Sequence, residues 1–159
     1  MSTKQGDLAL LNDPIAQDLL QSNNVAHLGY IWFDGTPRVT PIWFYWNGEE
    51  IIMASPPGMP KIEALKQNPD VALTIDKDEW PYKVLQIRGK VNVDMVDGIP
   101  VEYADCAERY FGPEVGPGWI QQVDEMFGRM FRFCLQPEWV GLLDFEERFP
   151  ETFARAMAG

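Results

Sequence analysis

The stretch that decides the fold runs from Arg38 to Lys61 and reads RVTPIWFYWNGEEIIMASPPGMPK. It contains two runs of β-branched, aromatic and other apolar residues, with Asn47-Gly48 between them. Asn-Gly flanked by such runs is a strong signal for two antiparallel strands joined by a tight turn. A Pro/Gly-rich loop follows, and Pro60 then favours the first turn of a helix. The stretch therefore predicts a β-hairpin that leads directly into a helix.

The segments on either side continue this alternation of strands, turns and helices. Apolar spacing and capping residues predict helices at about 13–24, 60–68, 97–111, 118–127 and 146–157. Alternating apolar runs predict strands at about 25–33, 37–46, 50–55, 71–76, 82–93 and 130–135. About six strands in hairpin order, with helices inserted, predict a mainly β protein of the α+β class, built as a small closed barrel with peripheral helices.

Two positions mark irregularities in these strands. Pro41 lies inside the second predicted strand and has no N–H for a ladder hydrogen bond, so an edge, a bulge or an opening of the sheet is expected there. Gly89 interrupts a later strand, as glycine does where a barrel strand bends sharply. In that same strand Gln86 and Arg88 project from an otherwise apolar segment, so they face either a ligand or solvent.

Composition limits the classes of partner. The 159 residues carry a formal net charge of −11, from 24 acidic and 13 basic residues, without a basic run. A polyanion such as nucleic acid would be repelled by most of this surface. No window approaches the roughly 18 apolar residues of a membrane span, and the first seven residues contain no signal-peptide h-region. We therefore expect a cytoplasmic protein with neither nucleic-acid nor membrane partners.

The length predicts a single domain over residues 1–159. Its core is expected at about 13–93 and 129–145, with a helical insertion at about 97–127 and a C-terminal helix at about 146–157. Two distant cysteines, Cys106 and Cys134, fit no disulfide framework and are expected to be reduced and buried. A single histidine and no Cys/His cluster predict no metal site.

Lys61 is the main candidate for anion binding. It lies in the first turn of the helix that begins at Pro60, where free backbone amides and the helix dipole favour an anion and its ammonium adds a full positive charge. The alternative is a solvent-exposed lysine at a helix start. Ser55 either adds a hydroxyl donor or is an ordinary strand-end serine. Glu63 would repel a phosphate dianion if it pointed the same way.

Other residues could contact a planar ligand. The segment from Thr40 to Trp43 either offers backbone groups to the polar rim of a heterocycle or is an aromatic-rich core strand. Trp80 and Tyr82 belong to an aromatic loop that either lines a pocket or forms a hydrophobic dimer contact. Arg132, between two phenylalanines, either binds an anionic group or points outward.

Taken in order, these segments resemble the FMN-binding split-barrel family, which is related to pyridoxamine phosphate oxidase and includes deazaflavin-dependent reductases. The resemblance covers residues 13–93 best, and its pieces are VAHLGY (25–30), DGTPRVTPIW (34–43), IMAS (52–55), Lys61 with Leu65, NPDVAL (68–73) and residues 84–90. FRF (131–133) followed by PEWV (137–140) resembles the closing strand of the family. The order and spacing of the pieces carry the resemblance, rather than any one of them.

The resemblance implies a six-stranded antiparallel split β-barrel and a homodimer with cofactor sites at the subunit interface. The residues implied along the isoalloxazine ring are Arg38, Val39, Thr40, Pro41, Ile42 and Trp43. Near the ribityl chain it places Met53, Ala54 and Ser55, and it places Lys61 at the phosphate. Gln86 is the nearest candidate for the glutamine that the family contributes to the ring. The residues implied on the substrate side are Trp80, Tyr82, Arg88 and Arg132.

The implied function is a flavin-dependent oxidoreductase that transfers a hydride between a bound FMN-type cofactor and a small planar organic substrate, with no catalytic side chain assigned. The deazaflavin coenzyme F-420 is the alternative cofactor. The alternative functions are a non-enzymatic flavin- or haem-binding module and a dimeric scaffold with a degenerate site.

The chain departs from the pattern of the family at two places. Met59, Pro60 and Glu63 surround Lys61, where many relatives have a second basic residue. The C-terminal Arg- and His-bearing signature of true pyridoxamine phosphate oxidases is absent, and residues 141–144 read GLLD. Vitamin B6 is therefore not expected as the substrate.

Overall fold

The computed structural model describes residues 3–159. This part of the chain contains a 3-10 helix (Leu8–Asn12), five α-helices and seven strands. The α-helices are α1 (Pro14–Leu20), α2 (Pro60–Gln67), α3 (Val101–Phe111), α4 (Gly116–Phe127) and α5 (Glu151–Ala158). The strands are β1 (Ala26–Ile31), β2 (Pro37–Ile42), β3 (Tyr45–Trp46), β4 (Ile51–Ser55), β5 (Asp70–Lys77), β6 (Lys83–Asp97) and β7 (Arg129–Asp144). The predicted domain begins at residue 1, and residues 1 and 2 lie outside the described range.

All seven strands form one sheet in the order β2-β1-β5-β6-β7-β4-β3, and every pairing is antiparallel. The two edge strands, β2 and β3, are separated in the chain by only Trp43 and Phe44. Their facing ends can therefore be no more than about 11 Å apart. The sheet must curl until its two edges approach each other, but no ladder joins β2 to β3. The closed barrel predicted from the strand pattern is thus wrong, whereas the mainly antiparallel split barrel that the resemblance implies agrees with this open sheet.

The structure has seven strands where the sequence predicts about six. The difference arises because the single strand predicted at 37–46 breaks at Trp43 and Phe44 into β2, which pairs with β1, and β3, which pairs with β4. At the break the Phe44 carbonyl leaves the ladder and accepts hydrogen bonds from the Cys106 thiol, at 3.1 Å, and from the Arg109 guanidinium. Side chains of α3 therefore satisfy the backbone group that the break exposes.

Strands β6 and β7 form the longest ladder, from Lys83 opposite Asp144 to Asp97 opposite Arg129. The register shifts between Arg88 and Gly89, so the predicted irregularity at Gly89 is confirmed as a bulge. A Cβ at Gly89 would lie 2.0 Å from the carbonyl oxygen of Gln136, so only glycine allows this close approach. Pro137 pairs with Gly89 at the same bulge. This placement explains how β7 continues through a proline where the sequence predicted its end at about 135.

The core lies inside the curled sheet. Leu85, Ile87 and Val91 are 0%, 0% and 4% exposed, so they form one buried face of β6. Phe44 and Phe133 are among the largest fully buried side chains. The helix predicted at 146–157 begins later, at Glu151, and every residue of α5 is exposed. Within residues 3–159, no helix is long and apolar enough to cross a membrane.

Replacing Gly89 with alanine should lower the free energy of unfolding by about 2–3 kcal/mol, because the added methyl group meets backbone rather than a movable side chain. Urea or guanidinium unfolding measures the change. Gly118→Ala is the matched control, since a Cβ there meets nothing within 4 Å. The control should be neutral or slightly stabilising, as alanine is favoured over glycine within helices. Equal effects at the two positions would contradict the account of the bulge.

Candidate functional site

A cavity of about 360 Å³ lies where the barrel is split. One wall is the end of β2 and the residue after it, with Pro41, Ile42 and Trp43. Another is the end of β4, with Ala54 and Ser55. The volume falls within the range typical of small-molecule sites. A larger cavity of about 920 Å³ between α1 and α5 contains none of the predicted site residues.

The β4–α2 loop and the first turn of α2 close one end of this cavity. Pro56, Met59 and Lys61 line it there. Met59 is the N-cap of α2 but makes no side-chain capping hydrogen bond. The cap therefore leaves backbone N–H groups of the first turn without a side-chain acceptor, and the positive end of the helix dipole faces the same region. This end of the cavity can accept an anion.

Lys61 supplies the charge at this end. Its side chain is half-buried, and burial lowers the pKa of its ammonium from the ordinary value of 10.5. Within residues 3–159, no carboxylate lies within salt-bridge distance of Lys61. A partly desolvated ammonium without a counter-ion has an unfavourable environment that a bound anion would improve.

Glu63 does not share this environment. It is exposed, is absent from the cavity wall, and pairs with Lys66 at 3.2 Å. Glu63 was expected to repel a phosphate only if its side chain pointed the same way as that of Lys61. The two side chains have different surroundings, so this condition is not met.

Aromatic side chains of the helical insertion pack around Trp43, which lines the cavity. Trp43 stacks on Tyr110 with ring centroids 5.1 Å apart, and it also contacts Tyr103 at 5.3 Å and Phe111 at 5.2 Å. Tyr103 lines the cavity itself. Sequence reasoning did not select Tyr103 as a site residue. The helix that carries Tyr103 was predicted, but the sequence contains no signal for where that helix packs.

Polar contacts at the Glu102 carboxylate and at the Phe44 carbonyl fix α3 in this place. Arg132 of β7 donates hydrogen bonds to the Glu102 carboxylate, at 3.1 Å from Nε and 2.5 Å from Nη2, and the ion pair holds the pKa of Glu102 below its ordinary value despite partial burial. At the next turns Cys106 and Arg109 donate to the Phe44 carbonyl. Burial raises the pKa of the Cys106 thiol to about 11, so this thiol is neutral and structural. Both cysteines are free and buried, as predicted.

Gln86 lies on the outer face of the sheet, away from the cavity. The registers align Pro41, His27, Thr74 and Gln86 in one row across β2, β1, β5 and β6. Three strand spacings separate Pro41 from Gln86, about 14 Å along the sheet. A glutamine side chain does not span that distance, so one chain does not bring Gln86 to the cavity.

Val39 and Arg88 lie in the neighbouring row of the same outer face. Val39 is 72% exposed, and the Arg88 guanidinium stacks on Trp139 at 3.8 Å from the ring centroid. Arg38 and Thr40 alternate with Val39 and point to the opposite face of β2. Arg38 lies 5.3 Å from the Trp32 ring centroid.

The remaining predicted residues lie apart from the cavity. Met53 is 2% exposed and belongs to the core, although the next two residues, Ala54 and Ser55, line the cavity. Trp80 and Tyr82 pack edge to face at 5.3 Å and form a cluster with Phe145. Trp80 is 67% exposed, so this cluster is a surface feature of the single chain.

Among the described residues, no group of three His, Cys, Asp or Glu side chains could hold a metal ion.

The family model described as pyridoxamine 5′-phosphate oxidase matches residues 13–144. Among solved structures, an F420 reductase is 28% identical, with a TM-score of 0.64, over 79% of this chain and 94% of its own. A conserved hypothetical protein from Mycobacterium tuberculosis is 21% identical, with a TM-score of 0.69, over 91% of each chain. The haem storage protein HutZ from Vibrio cholerae is 22% identical, with a TM-score of 0.59, over 83% of this chain and 93% of its own. The last two likenesses show the fold alone. No curated protein matches the chain.

Replacing Lys61 with methionine should raise the free energy of unfolding of the ligand-free protein at about pH 7. The lowered pKa means that the folded state disfavours the charged lysine relative to the unfolded chain, and methionine removes that cost. The gain should shrink as pH rises towards 10.5, because folded Lys61 then loses its proton. Urea unfolding at several pH values measures both effects.

Lys66→Met is the matched control on the same helix. Because Lys66 is exposed and paired with Glu63, its loss should leave stability unchanged or lower by a few tenths of a kcal/mol. A Lys61→Met protein that is less stable than the control would contradict an unpaired, desolvated Lys61.

Proposed function

Because the chain belongs to the pyridoxamine 5′-phosphate oxidase family, we propose that it is a flavin-dependent oxidoreductase acting on a small planar organic substrate. The cofactor proposed is of the FMN type. One observation carries the proposal: a single cavity at the split of the barrel combines an uncapped helix start, an aromatic wall and a half-buried lysine that has no counter-ion among residues 3–159. Phosphate and ring are the two ends of a flavin nucleotide, and the cavity presents chemistry for both.

The phosphate end fits the residues present. Lys61 would pair with a phosphate oxygen, and backbone amides of the first turn of α2 would donate to others. Ser55, which is 2% exposed and lines the cavity, would offer its hydroxyl. A bound phosphate would also relieve the desolvation of the ammonium of Lys61.

The ring end fits the free edge of β2. This strand pairs with β1 on one side only, so backbone N–H and C=O groups from about Thr40 to Trp43 remain available on the other. The polar rim of an isoalloxazine needs both donors and acceptors, and a strand edge supplies them in alternation. Trp43 adds an aromatic surface next to this edge.

A second copy of the chain would complete the site. Gln86 cannot reach the cavity of its own chain, whereas the outer face that carries it also exposes Val39 and presents small residues such as Gly29 and Ala72. An outer face with an exposed apolar side chain and small residues suits packing against another protein surface. A two-fold dimer through this face would bring Gln86 of one chain towards the cofactor of the other.

The bound cofactor would supply the hydride chemistry, and the chain's own residues would provide binding, orientation and exclusion of water. Lys61 and the start of α2 would anchor the phosphate, which fixes the ring along β2. The cluster around Trp43 and Tyr103 would shield one side of the cavity from solvent.

The deazaflavin coenzyme F-420 is the second candidate cofactor, favoured by the 28% identity with an F420 reductase. A non-enzymatic haem- or flavin-binding module is the second candidate function, motivated by the likeness in fold to a haem storage protein. Absorption spectra of the protein with FMN, with the deazaflavin and with haem show which of the three molecules it binds. Turnover with reduced cofactor and a panel of planar acceptors supports the oxidoreductase, and binding without turnover supports the module. Failure to bind any of them overturns both.

Lys61→Ala should weaken binding of the phosphate-bearing cofactor by about 1.5–3 kcal/mol, the worth of one charge-assisted hydrogen bond. Fluorescence or calorimetric titration measures the affinity. Lys66→Ala removes the same charge from the exposed side of the same helix and should change affinity little. If both variants bind as tightly as the wild type, the phosphate lies elsewhere.

A mixed-dimer experiment tests the shared site. Lys61→Ala and Gln86→Leu chains should each bind the cofactor weakly. After the two are refolded together in equal amounts, about half of the dimers should be mixed, and one of the two sites in each should contain both native residues. About a quarter of all sites should then recover native affinity. No recovery, or a protein that sediments as a monomer, would contradict a site shared between subunits.

A further inference from the structure

Arg109 of α3 keeps one buried donor atom unpaired. Its Nε atom has no hydrogen-bond partner among residues 3–159, although that atom is buried. A buried donor without an acceptor lowers stability, and most buried polar atoms in native proteins are paired. An unpaired one therefore needs a reason other than stability, and the contacts of the other guanidinium atoms provide one.

The rest of the guanidinium group contacts two residues, Phe44 and Tyr110. Its Nη2 atom donates to the Phe44 carbonyl and, at 3.4 Å, to the Tyr110 hydroxyl. Its Cζ atom lies 4.9 Å from the ring centroid of Phe44 and 5.0 Å from that of Tyr110. One side chain thus links the main chain at the break between β2 and β3 to an aromatic side chain of α3.

Tyr110 extends these contacts to a third segment, the loop between α1 and β1. Its hydroxyl donates to the Asn24 carbonyl at 2.8 Å. Burial raises the pKa of Tyr110, so the hydroxyl keeps its proton at neutral pH and remains a donor. Val25, the residue after Asn24, lines the cavity. Tyr110 is therefore tied to the cavity wall at its hydroxyl and to Arg109 beside it.

Trp43 is the cavity residue on which these contacts converge. It lines the cavity, and its ring stacks on that of Tyr110 with an interplanar angle of 12°. Its main chain leads directly into Phe44, whose carbonyl Arg109 holds. Arg109 thus constrains Trp43 twice, through the main chain that follows it and through the ring on which it stacks.

We propose that Arg109 is a positioning residue for the ring of the cofactor, because it holds Trp43 in a fixed orientation at the ring end of the cavity. The inference rests on the proposed function, since it concerns the ring of the proposed flavin. Arg109 does not line the cavity, so it acts through Phe44 and Tyr110 rather than by touching the ligand. An aromatic surface that is already ordered loses less conformational entropy when a planar ring binds to it. All of these contacts lie within one chain, so a second copy that completes the cavity leaves them in place.

Riboflavin and FMN separate ring binding from phosphate binding, because they share one ring and only FMN carries the phosphate. Arg109→Met should bind both molecules roughly three- to tenfold more weakly, the effect of losing about one hydrogen bond that orders the ring end. The ratio of the two affinities should therefore stay that of the wild type. Lys61→Ala should instead weaken FMN binding alone. Quenching of flavin fluorescence measures both affinities without turnover.

Stability distinguishes positioning from a merely structural role. Arg109→Met removes the unpaired Nε donor, and the Phe44 carbonyl still accepts a hydrogen bond from the Cys106 thiol at 3.1 Å. The melting temperature should therefore fall by no more than about 3 °C while ring affinity falls. Arg109→Lys retains a charged donor on a long stem and should recover part of the riboflavin affinity. Arg129→Met, at an exposed arginine, is the matched control and should change neither affinity.

Tyr110→Phe tests the same set of contacts without changing Arg109, because it removes only the hydroxyl that donates to Asn24. It should also weaken riboflavin binding. If both residues act through Trp43, the Arg109→Met/Tyr110→Phe double variant should bind riboflavin about as weakly as the weaker single variant. Losses that simply add would contradict a shared action on Trp43.

The remaining outcomes separate this inference from the proposed function. Unchanged riboflavin affinity in Arg109→Met, or a loss confined to FMN, would overturn the positioning role while cofactor binding stands. A loss of ring affinity that accompanies a large fall in melting temperature and is not recovered by Arg109→Lys would also overturn it. Wild-type protein that binds neither riboflavin nor FMN would overturn the FMN-type cofactor of the proposed function, and the inference with it.

Discussion

The break of the chain at Trp43 and Phe44 is the constraint on which the rest of the structure depends. Had the strand continued, β2 and β3 would form one strand and the barrel would have no opening beside them. A break leaves a backbone carbonyl out of the ladder, and a buried carbonyl needs a donor. Cys106 and Arg109 of α3 supply it. The same helix carries Tyr103 into the cavity, so the contact that stabilises the break also builds the wall of the candidate site.

The helical insertion is therefore part of the site rather than an appendage to the barrel. Its first turn is held by the ion pair between Glu102 and Arg132, and Tyr103 follows Glu102 directly. Because Arg132 is paired with Glu102, this predicted anion-binding residue does not add a free cation to that of Lys61. An arginine that is already paired and hydrogen-bonded contributes position rather than charge to its neighbours.

The sequence predicted most of the fold because its signals are local. Asn47-Gly48, Asp13-Pro14 and Pro60 define turns and helix starts within a few residues, and Gly89 marks a bulge through its own backbone. The closed barrel, the strand count and the end of β7 were wrong because they depend on partners far away in the chain. The break at Phe44 needs donors about sixty residues later, and Pro137 is tolerated only opposite Gly89. The docking of Tyr103 is non-local in the same way.

The candidate site shows the same division between local and assembled features. Pro41, Ile42, Trp43, Ala54, Ser55 and Lys61 meet in one cavity because β2, β4 and α2 follow one another closely in the chain. Gln86 lies three strands away on the outer face, so it does not reach the cavity of its own chain. Lys61 is half-buried and has no carboxylate within salt-bridge distance among residues 3–159, so its desolvated charge costs stability that a bound anion would restore. Both features agree with the proposed function, in which a second copy would bring the missing polar side chain and an anionic ligand would bring the missing charge.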